Sequence, residues 1–252
     1  METREYKIME EAQEGHWWWL GRERLVERLI RTYCSAPRPL RIADVGSGLG
    51  ANIPMLLRYG DVTALEPSAE AVAKVAEKWA ATGRVRALRW NSPAPVDDRF
   101  DLVLLADVLE HIRDDVAAVD WIRHHLKPGG YAILTVPAHP HLWTEMDDVV
   151  HHYRRYRAGD LRRLLAPKLI VRRLTFYNLI LYPVKLLFVA FAKGRRILRP
   201  GSPKRSFNEK PPRMINRIFA SILSIEARLI GRLSLPFGVS MVVVAQKAAT
   251  ST

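Results

Sequence analysis

Ala43-Asp44-Val45-Gly46-Ser47-Gly48-Leu49-Gly50 is the stretch on which the reading of this chain turns. The apolar run Leu40-Arg41-Ile42-Ala43-Asp44-Val45 enters three alternating glycines. After Ala51-Asn52 comes Ile53-Pro54-Met55-Leu56-Leu57, so the pattern is strand, tight turn and the first turns of a helix. Glycines at such a turn accept positive φ and let a ligand come close to the backbone with no Cβ in the way. The physics is that of a cofactor loop; the bland reading is a Gly-rich connection between strand and helix.

The glycines at 46, 48 and 50, with Ala51 in the sixth place, meet the dinucleotide pattern G-x-G-x-x-G/A only in its looser form. Glu66 closes a second apolar segment, Val62-Thr63-Ala64-Leu65, where a carboxylate can accept both hydroxyls of a ribose. No Gly-Lys-Ser/Thr follows the turn, which removes a P-loop. Further on come Leu65-Glu66-Pro67-Ser68, Phe100-Asp101-Leu102-Val103, Asp107-Val108-Leu109-Glu110-His111 and Leu126-Lys127-Pro128-Gly129-Gly130. Together with the glycine turn, these five pieces in order resemble the class I S-adenosylmethionine-dependent methyltransferases, from about residue 20 to 176 and again in the last strand. The resemblance implies a Rossmann-like, seven-stranded, mostly parallel sheet with helices on both faces. S-adenosyl-L-methionine would be the methyl donor, S-adenosyl-L-homocysteine the product, and no metal is expected. It assigns donor binding to Asp44, Gly46, Ser47, Gly48 and Gly50 on the turn, to Glu66 and Pro67 at the ribose, and to Asp107 or Val108 beside the methionine part. An acidic residue in these enzymes often contacts the adenine amino group after the third strand; here Asn91 or Ser92 would have to serve.

A chain of 252 residues can bury one α/β core with an elaboration. A single cysteine, Cys34, excludes an internal disulfide and a thiolate metal cluster, and with no signal-peptide pattern a reducing cytoplasm is expected. The net charge of +13 is unevenly spread: residues 1–150 carry 18 Lys+Arg against 23 Asp+Glu, residues 151–252 carry 21 against 3. So basic a second part points to an anionic partner, nucleic acid or a membrane surface being the usual ones.

In chain order, a leader (1–35) carries His16-Trp17-Trp18-Trp19-Leu20 before an amphipathic helix from Gly21 to Tyr33. Three adjacent indoles cannot share one helix face; either one covers the pocket, or all pack the leader onto the domain. Arg22 and Arg24 could reach an acceptor anion. Strands are expected at 40–45, 61–65, 85–89, 101–106, 131–136, 169–176 and 240–246, with helices at about 51–58, 68–81 and 113–125. Glu110 and His111 either open towards the acceptor or merely start a helix.

After Pro137 four of the eight histidines fall within fourteen residues, ending in His151-His152-Tyr153-Arg154-Arg155-Tyr156. Metal binding is set aside, since no second cluster supplies ligands and the arginines would repel a cation. The segment resembles that of a bacterial methyltransferase subgroup with His-x-Arg-Arg-Tyr at this place. His152, then His151, are candidate bases, with His111 nearby. Asp147 could orient His151 on a helix, and Arg154, Arg155 and Tyr156 would complete an anion-holding site. The alternative for the arginines is surface charge at the start of a helix running through 161–165.

Residues 176–236 separate the last two strands. Residues 176–192 are apolar apart from Asn178 and Lys185, with Pro183 in the middle, and are too short to cross a bilayer; an interfacial segment is expected. Lys193 to Arg217 holds nine Lys/Arg against Glu209. Residues 214–233 then read as a helix with Ile215, Ile218, Ile222, Ile225, Leu229 and Leu233 on its apolar side. A domain of 1–175 and 237–252 with an inserted platform on the inner face of the cell membrane is the favoured reading. A homodimer contact competes, and nucleic acid is disfavoured because the aromatics avoid the basic run. The implied function is methyl transfer to oxygen, before nitrogen or carbon, on an amphiphilic, anionic or lipid-linked small molecule. The alternative is a soluble metabolite with the insertion as lid or dimer contact. A nicotinamide oxidoreductase or a noncatalytic membrane-attached binding protein are the readings from other classes.

Overall fold

The computed structural model describes residues 15–34, 36–37, 39–198, 211–231 and 233–249. The beginning of the leader and the middle of the basic run, 199–210, lie outside the described residues. Seven strands, β1 (Leu40–Val45), β2 (Gly60–Glu66), β3 (Val85–Arg89), β4 (Phe100–Ala106), β5 (Leu126–Pro137), β6 (Ile170–Tyr177) and β7 (Ser240–Gln246), form one sheet in the order β3-β2-β1-β4-β5-β7-β6. All pairings are parallel except those of β7, which runs antiparallel between β5 and β6. The strands alternate apolar faces as a two-sided core requires. Ala43 and Val45 of β1 face one core cluster, while Leu40 and Ile42 face the other.

The first cluster is covered by α4 (Asp115–His125) through Val119, Trp121 and Ile122, and by α6 (Ala158–Leu165) through Leu161 and Leu165. The second is covered by α1 (Trp17–Tyr33), α2 (Ile53–Leu56), α3 (Ala69–Trp79) and the C-terminal half of α8 (Arg213–Ile230). A short α5 (Glu145–Val149) follows β5, and α7 (Tyr182–Leu198) opens the insertion. Ser68 and Asp114 accept backbone N–H bonds at the starts of α3 and α4, fixing their entry points at the sheet edge.

The helix expected at 51–58 is a single turn, Ile53–Leu56, because the glycine turn continues through Asn52. The leader helix starts four residues early: Trp17, Trp18 and Trp19 are its first turn, with His16 Nδ1 accepting from Trp18 N. The face of α8 also differs from expectation. Asn216, Ala220, Leu223, Glu226, Ala227 and Ile230 are buried, while Ile215, Ile218, Ile225 and Leu229 stay exposed and Ile222 is half-buried. Small and polar residues, Asn216, Ala220, Glu226 and Ala227, share the inner row with Leu223 and Ile230, and α8 lies very close to α1: a Cβ on Gly21 would stand 2.4 Å from Leu223 Cδ1. Asn216 locks the pair by accepting from Trp17 N (2.8 Å) and donating to Gly15 O (2.8 Å). Glu226 accepts from the N–H groups of Leu179 (3.1 Å) and Ile180 (2.9 Å), tying α8 to the approach of α7. Ala227 and Ile230 belong to the core of the sheet, so a domain boundary at 236 cuts across a packed layer. Among the described residues no helix is long and apolar enough to cross a membrane.

Candidate active site

Strands β1 and β4 are neighbours whose connections leave to opposite sides, and the crevice at their carboxyl ends is where open α/β sheets bind ligands. Gly46, Gly48 and Gly50 have φ of +65°, +54° and +81°. At Gly46 even the backbone's freedom is not the whole requirement, since a Cβ there would meet Val108 Cγ2 at 2.7 Å. Glu66, buried at the end of β2, accepts from Gly48 N (2.9 Å) and Ser68 N (3.1 Å), which shapes the turn. Asp44 is fully buried. Its Oδ1 accepts from Asn52 Nδ2 (3.1 Å), while its Oδ2 and the Ser47 hydroxyl have no hydrogen-bond partner among the described residues. Burial pushes the Asp44 carboxyl up to about 7 against the hydrogen bond from Asn52 and the attraction of Arg22. Two orphaned buried polar groups beneath a positive-φ turn are what a zwitterionic nucleoside donor would satisfy, so the residues fit it.

The turn opens into a cavity of about 610 Å³, lined on its polar side by Asp107, Glu110, His152 and Arg155. Asp107 adopts φ +58° and is held by Arg22, whose Nη1 donates to Oδ2 (2.7 Å), and by the Thr135 hydroxyl, which donates to Oδ1 (2.9 Å). Arg22 is therefore a prop for Asp107 and not an acceptor clamp, and Arg24 pairs with Ser224 on α8. Glu110 is 0% exposed, and neither carboxylate oxygen has a hydrogen-bond partner among the described residues. Burial, reinforced by Asp107, raises its carboxyl well above the ordinary range. It is the middle residue of a single 3-10 turn, Leu109–His111, whose N-cap is Val108 and which no side-chain bond caps.

Residues 152–157 cross the end of β5 in extended form, Tyr153 N donating to Glu110 O (2.8 Å) and Tyr156 N to Pro137 O (3.0 Å). The His-x-Arg-Arg-Tyr segment is thereby split. His152 and Arg155 turn into the cavity, while Arg154 pairs with Asp115 and Arg113 O, and the buried Tyr156 hydroxyl donates to Asp115 Oδ2 (3.0 Å). Arg154 and Tyr156 thus anchor the segment to α4 and do not line the cavity. Asp147 receives His152 Nδ1–H (2.9 Å), Arg155 Nε–H (2.7 Å) and Arg155 Nη2–H (3.1 Å). Burial alone would raise its pKa; the bonds from His152 and Arg155 outweigh that and hold the carboxylate well below its ordinary range. His151 was expected to be the histidine oriented by Asp147. α5 ends at Val149, and His151, at φ +59°, is exposed and outside the cavity, so the turn delivers His152 instead. With Nδ1–H committed to a carboxylate, His152 Nε2 carries the lone pair, 3.9 Å from Glu110 Oε1. His111 stands edge-on to His152 at 4.6 Å, exposed at the mouth.

Asn91 is exposed, Ser92 Oγ is buried with no hydrogen-bond partner among the described residues, and the cavity stops short of both and of Pro67. Sequence reasoning missed Asn52, the role of Glu110, Asn178 with its unpartnered Oδ1, and Lys185; the last two were visible as the only polar positions in an apolar run. The tryptophan pair Trp17 and Trp18 roofs the cavity, Trp18 stacked on Tyr177 (5.6 Å) and Trp17 edge-on to Phe219 of α8 (5.2 Å).

Comparison with known proteins agrees with this geometry. A ubiquinone biosynthesis O-methyltransferase of Cereibacter sphaeroides is 37% identical over 106 residues, 39% of this chain and 43% of that protein. The chain spans about four tenths of the length of the curated relatives it matches. Among solved structures, a Haemonchus contortus phosphoethanolamine N-methyltransferase in complex with S-adenosyl-L-methionine superposes with a TM-score of 0.58 at 17% identity, covering 89% of this chain and 52% of that one. The [4+2]-cyclase SpnF superposes with a TM-score of 0.55 at 18% identity, covering 89% and 80%. At such identities the likeness is one of fold. Residues 18–167 match the family model of a methyltransferase domain, and with the glycine turn, the sheet order and the donor crevice in place, the chain belongs to the class I S-adenosylmethionine-dependent methyltransferases.

Proposed function

We propose that the protein methylates an oxygen atom of a small-molecule acceptor, with His152 as general base. The observation that carries this reading is the Asp147–His152 pair in the wall of the cavity into which the glycine turn opens. S-adenosylmethionine supplies the electrophilic methyl carbon. The protein's own part is orientation and proton removal. His152 Nε2 takes the acceptor hydroxyl proton as the oxygen–carbon bond forms, and Asp147 stabilises the resulting imidazolium, with Arg155 keeping that carboxylate ionised and in place. Glu110, held neutral, is a hydrogen-bond donor for an acceptor oxygen beside the base. The choice of oxygen is supported by the histidine base and by the O-methyltransferase relative.

The insertion works as a lid: Leu181 before α7, Val184, Lys185 and Phe188 on it and Phe219 of α8 all line the cavity. This favours a small metabolite enclosed in the pocket. A second reading, an amphiphilic acceptor taken up at the cytoplasmic face of a membrane, is favoured by the outer faces of α7 and α8, where Leu187, Phe191, Ile218 and Ile225 are exposed. The test is to incubate the purified protein and labelled donor with a soluble and a lipid extract. Label in a new product is expected, with the mass fixing the acceptor. His152→Ala should lower that labelling about a hundredfold or more while donor affinity is unchanged. Undiminished labelling would remove His152 from the site.

A further inference from the structure

Of the cations lining the cavity, two are committed. Arg22 is bound to Asp107 and Arg155 to Asp147, and Arg154, also expected to hold an acceptor anion, is outside with Asp115. Lys185 is different. It reaches the cavity from the first turn of α7, and among the described residues no carboxylate lies within ion-pair distance of it. Its Nζ stands 5.4 Å from the centroid of the Phe188 ring, one turn along the same helix face. Burial, with Arg155 adding to it and Asp147 opposing both, pushes the Lys185 ammonium down to about 8, so a counter-ion at this point would meet a charge without an ion pair of its own among the described residues. Leu181, Val184 and Phe188 flank it on its own segment, and Trp17, Trp18 and Phe219 add further apolar wall to the same cavity.

We propose that Lys185 is the anion subsite of this cavity and selects acceptors in which an apolar stretch separates the methylated hydroxyl from a carboxylate or phosphate. The inference rests on the methyl-transfer reading for which end of the acceptor is methylated, but not for the binding itself. It replaces the arginine pair of the His-x-Arg-Arg-Tyr segment with a residue that the same segment only approaches electrostatically. A lysine suits the place because an ammonium acts as a point charge and does not demand the planar partner that a guanidinium would.

The test uses the full chain saturated with S-adenosylhomocysteine and three probes of equal chain length: octanoate, octyl phosphate and octanol. Binding is read from the fluorescence of the tryptophans at the cavity roof. One or both anions are expected to bind tighter than octanol, and whichever is the tighter identifies carboxylate or phosphate as the natural group. Lys185→Met should weaken the preferred anion about tenfold to a hundredfold, the scale of a lost charge-assisted hydrogen bond, while octanol binding stays within about twofold. Lys185→Arg should keep most of the preference. Equal binding of all three probes to the wild type, or a Met variant with an unchanged anion-to-octanol ratio, overturns the proposal. Failure of the chain to bind S-adenosylhomocysteine in the first step would count against the methyl-transfer reading instead, so the two failures are distinguishable.

Discussion

At the scale of residues, the site is a set of carboxylates given opposite protonation by their neighbours. Asp147 is surrounded by donors and stays ionised, whereas Asp44 and Glu110 are buried with too few donors and are pushed towards the neutral form. For Asp44 this makes a stability prediction. Unfolded, its carboxyl ionises near 4; folded, at about 7. Between those values the folded protein holds a proton that the unfolded chain has released, so the group's contribution to stability falls as pH rises through the window and the full cost is present above it. Asp44→Asn without donor should therefore gain on the wild type between pH 5 and pH 8, by on the order of a few kcal/mol, read as a widening difference in Tm. With saturating S-adenosylmethionine the wild type should recover the difference, because a cationic group can then pair with the ionised carboxylate, and the variant should not. A Tm difference that stays constant from pH 5 to 8 would mean that Asp44 is ionised throughout. Asp44 was legible in the sequence from its place before the glycines. The split within residues 152–156 was not, because what brings His152 and Arg155 together is Asp147, a carboxylate on α5, and nothing within the segment says which of its side chains will meet it.

At the scale of elements, the strands were readable from apolar runs ended by turn residues, and the sheet followed from their order. The insertion was harder, because α8 is apolar on more than one side. Its large residues suggested the buried face, yet Asn216, Ala220 and Ala227 are inside together with Leu223, whose side chain lies against α1 where Gly21 has no Cβ. Gly21→Ala sets two effects against each other. Alanine favours the helix by about 1 kcal/mol, whereas an added Cβ against Leu223 Cδ1 at 2.4 Å and Cβ at 2.5 Å overpacks a contact that both helices hold rigid, typically at 1–3 kcal/mol. The second should win by about 1 kcal/mol. Because α1 and α8 both carry cavity residues, the loss of Tm should come with weakened probe binding and little change in donor affinity. A variant more stable than the wild type would show that the helix pair can separate freely.

At the scale of the whole molecule, charge and exposed apolar surface fall on the same part of the chain. Residues 151–252 carry 21 Lys+Arg against 3 Asp+Glu, and the lid helices built from that part turn Leu187 (74% exposed) and Phe191 (71%) outward. Each such side chain is worth about 1.5–3 kcal/mol when taken out of water, and basic residues near an anionic leaflet add about 1 kcal/mol each. The two terms separate experimentally. Under the second functional reading, the protein should sediment with phosphatidylglycerol-containing vesicles at low salt and far less with pure phosphatidylcholine. Raising the salt removes the electrostatic part only, as the Debye length shrinks from about 10 Å at 0.1 M to about 3 Å at 1 M. Leu187→Glu with Phe191→Glu, both on the solvent side of α7, should lower vesicle binding at least tenfold without altering Tm by more than about a degree. If the wild type stays in the supernatant with anionic vesicles, the membrane reading is lost. A wild type that sediments as a dimer and becomes a monomer in the double variant would assign the same face to a second copy of the chain, leaving the enclosed cavity for a small metabolite.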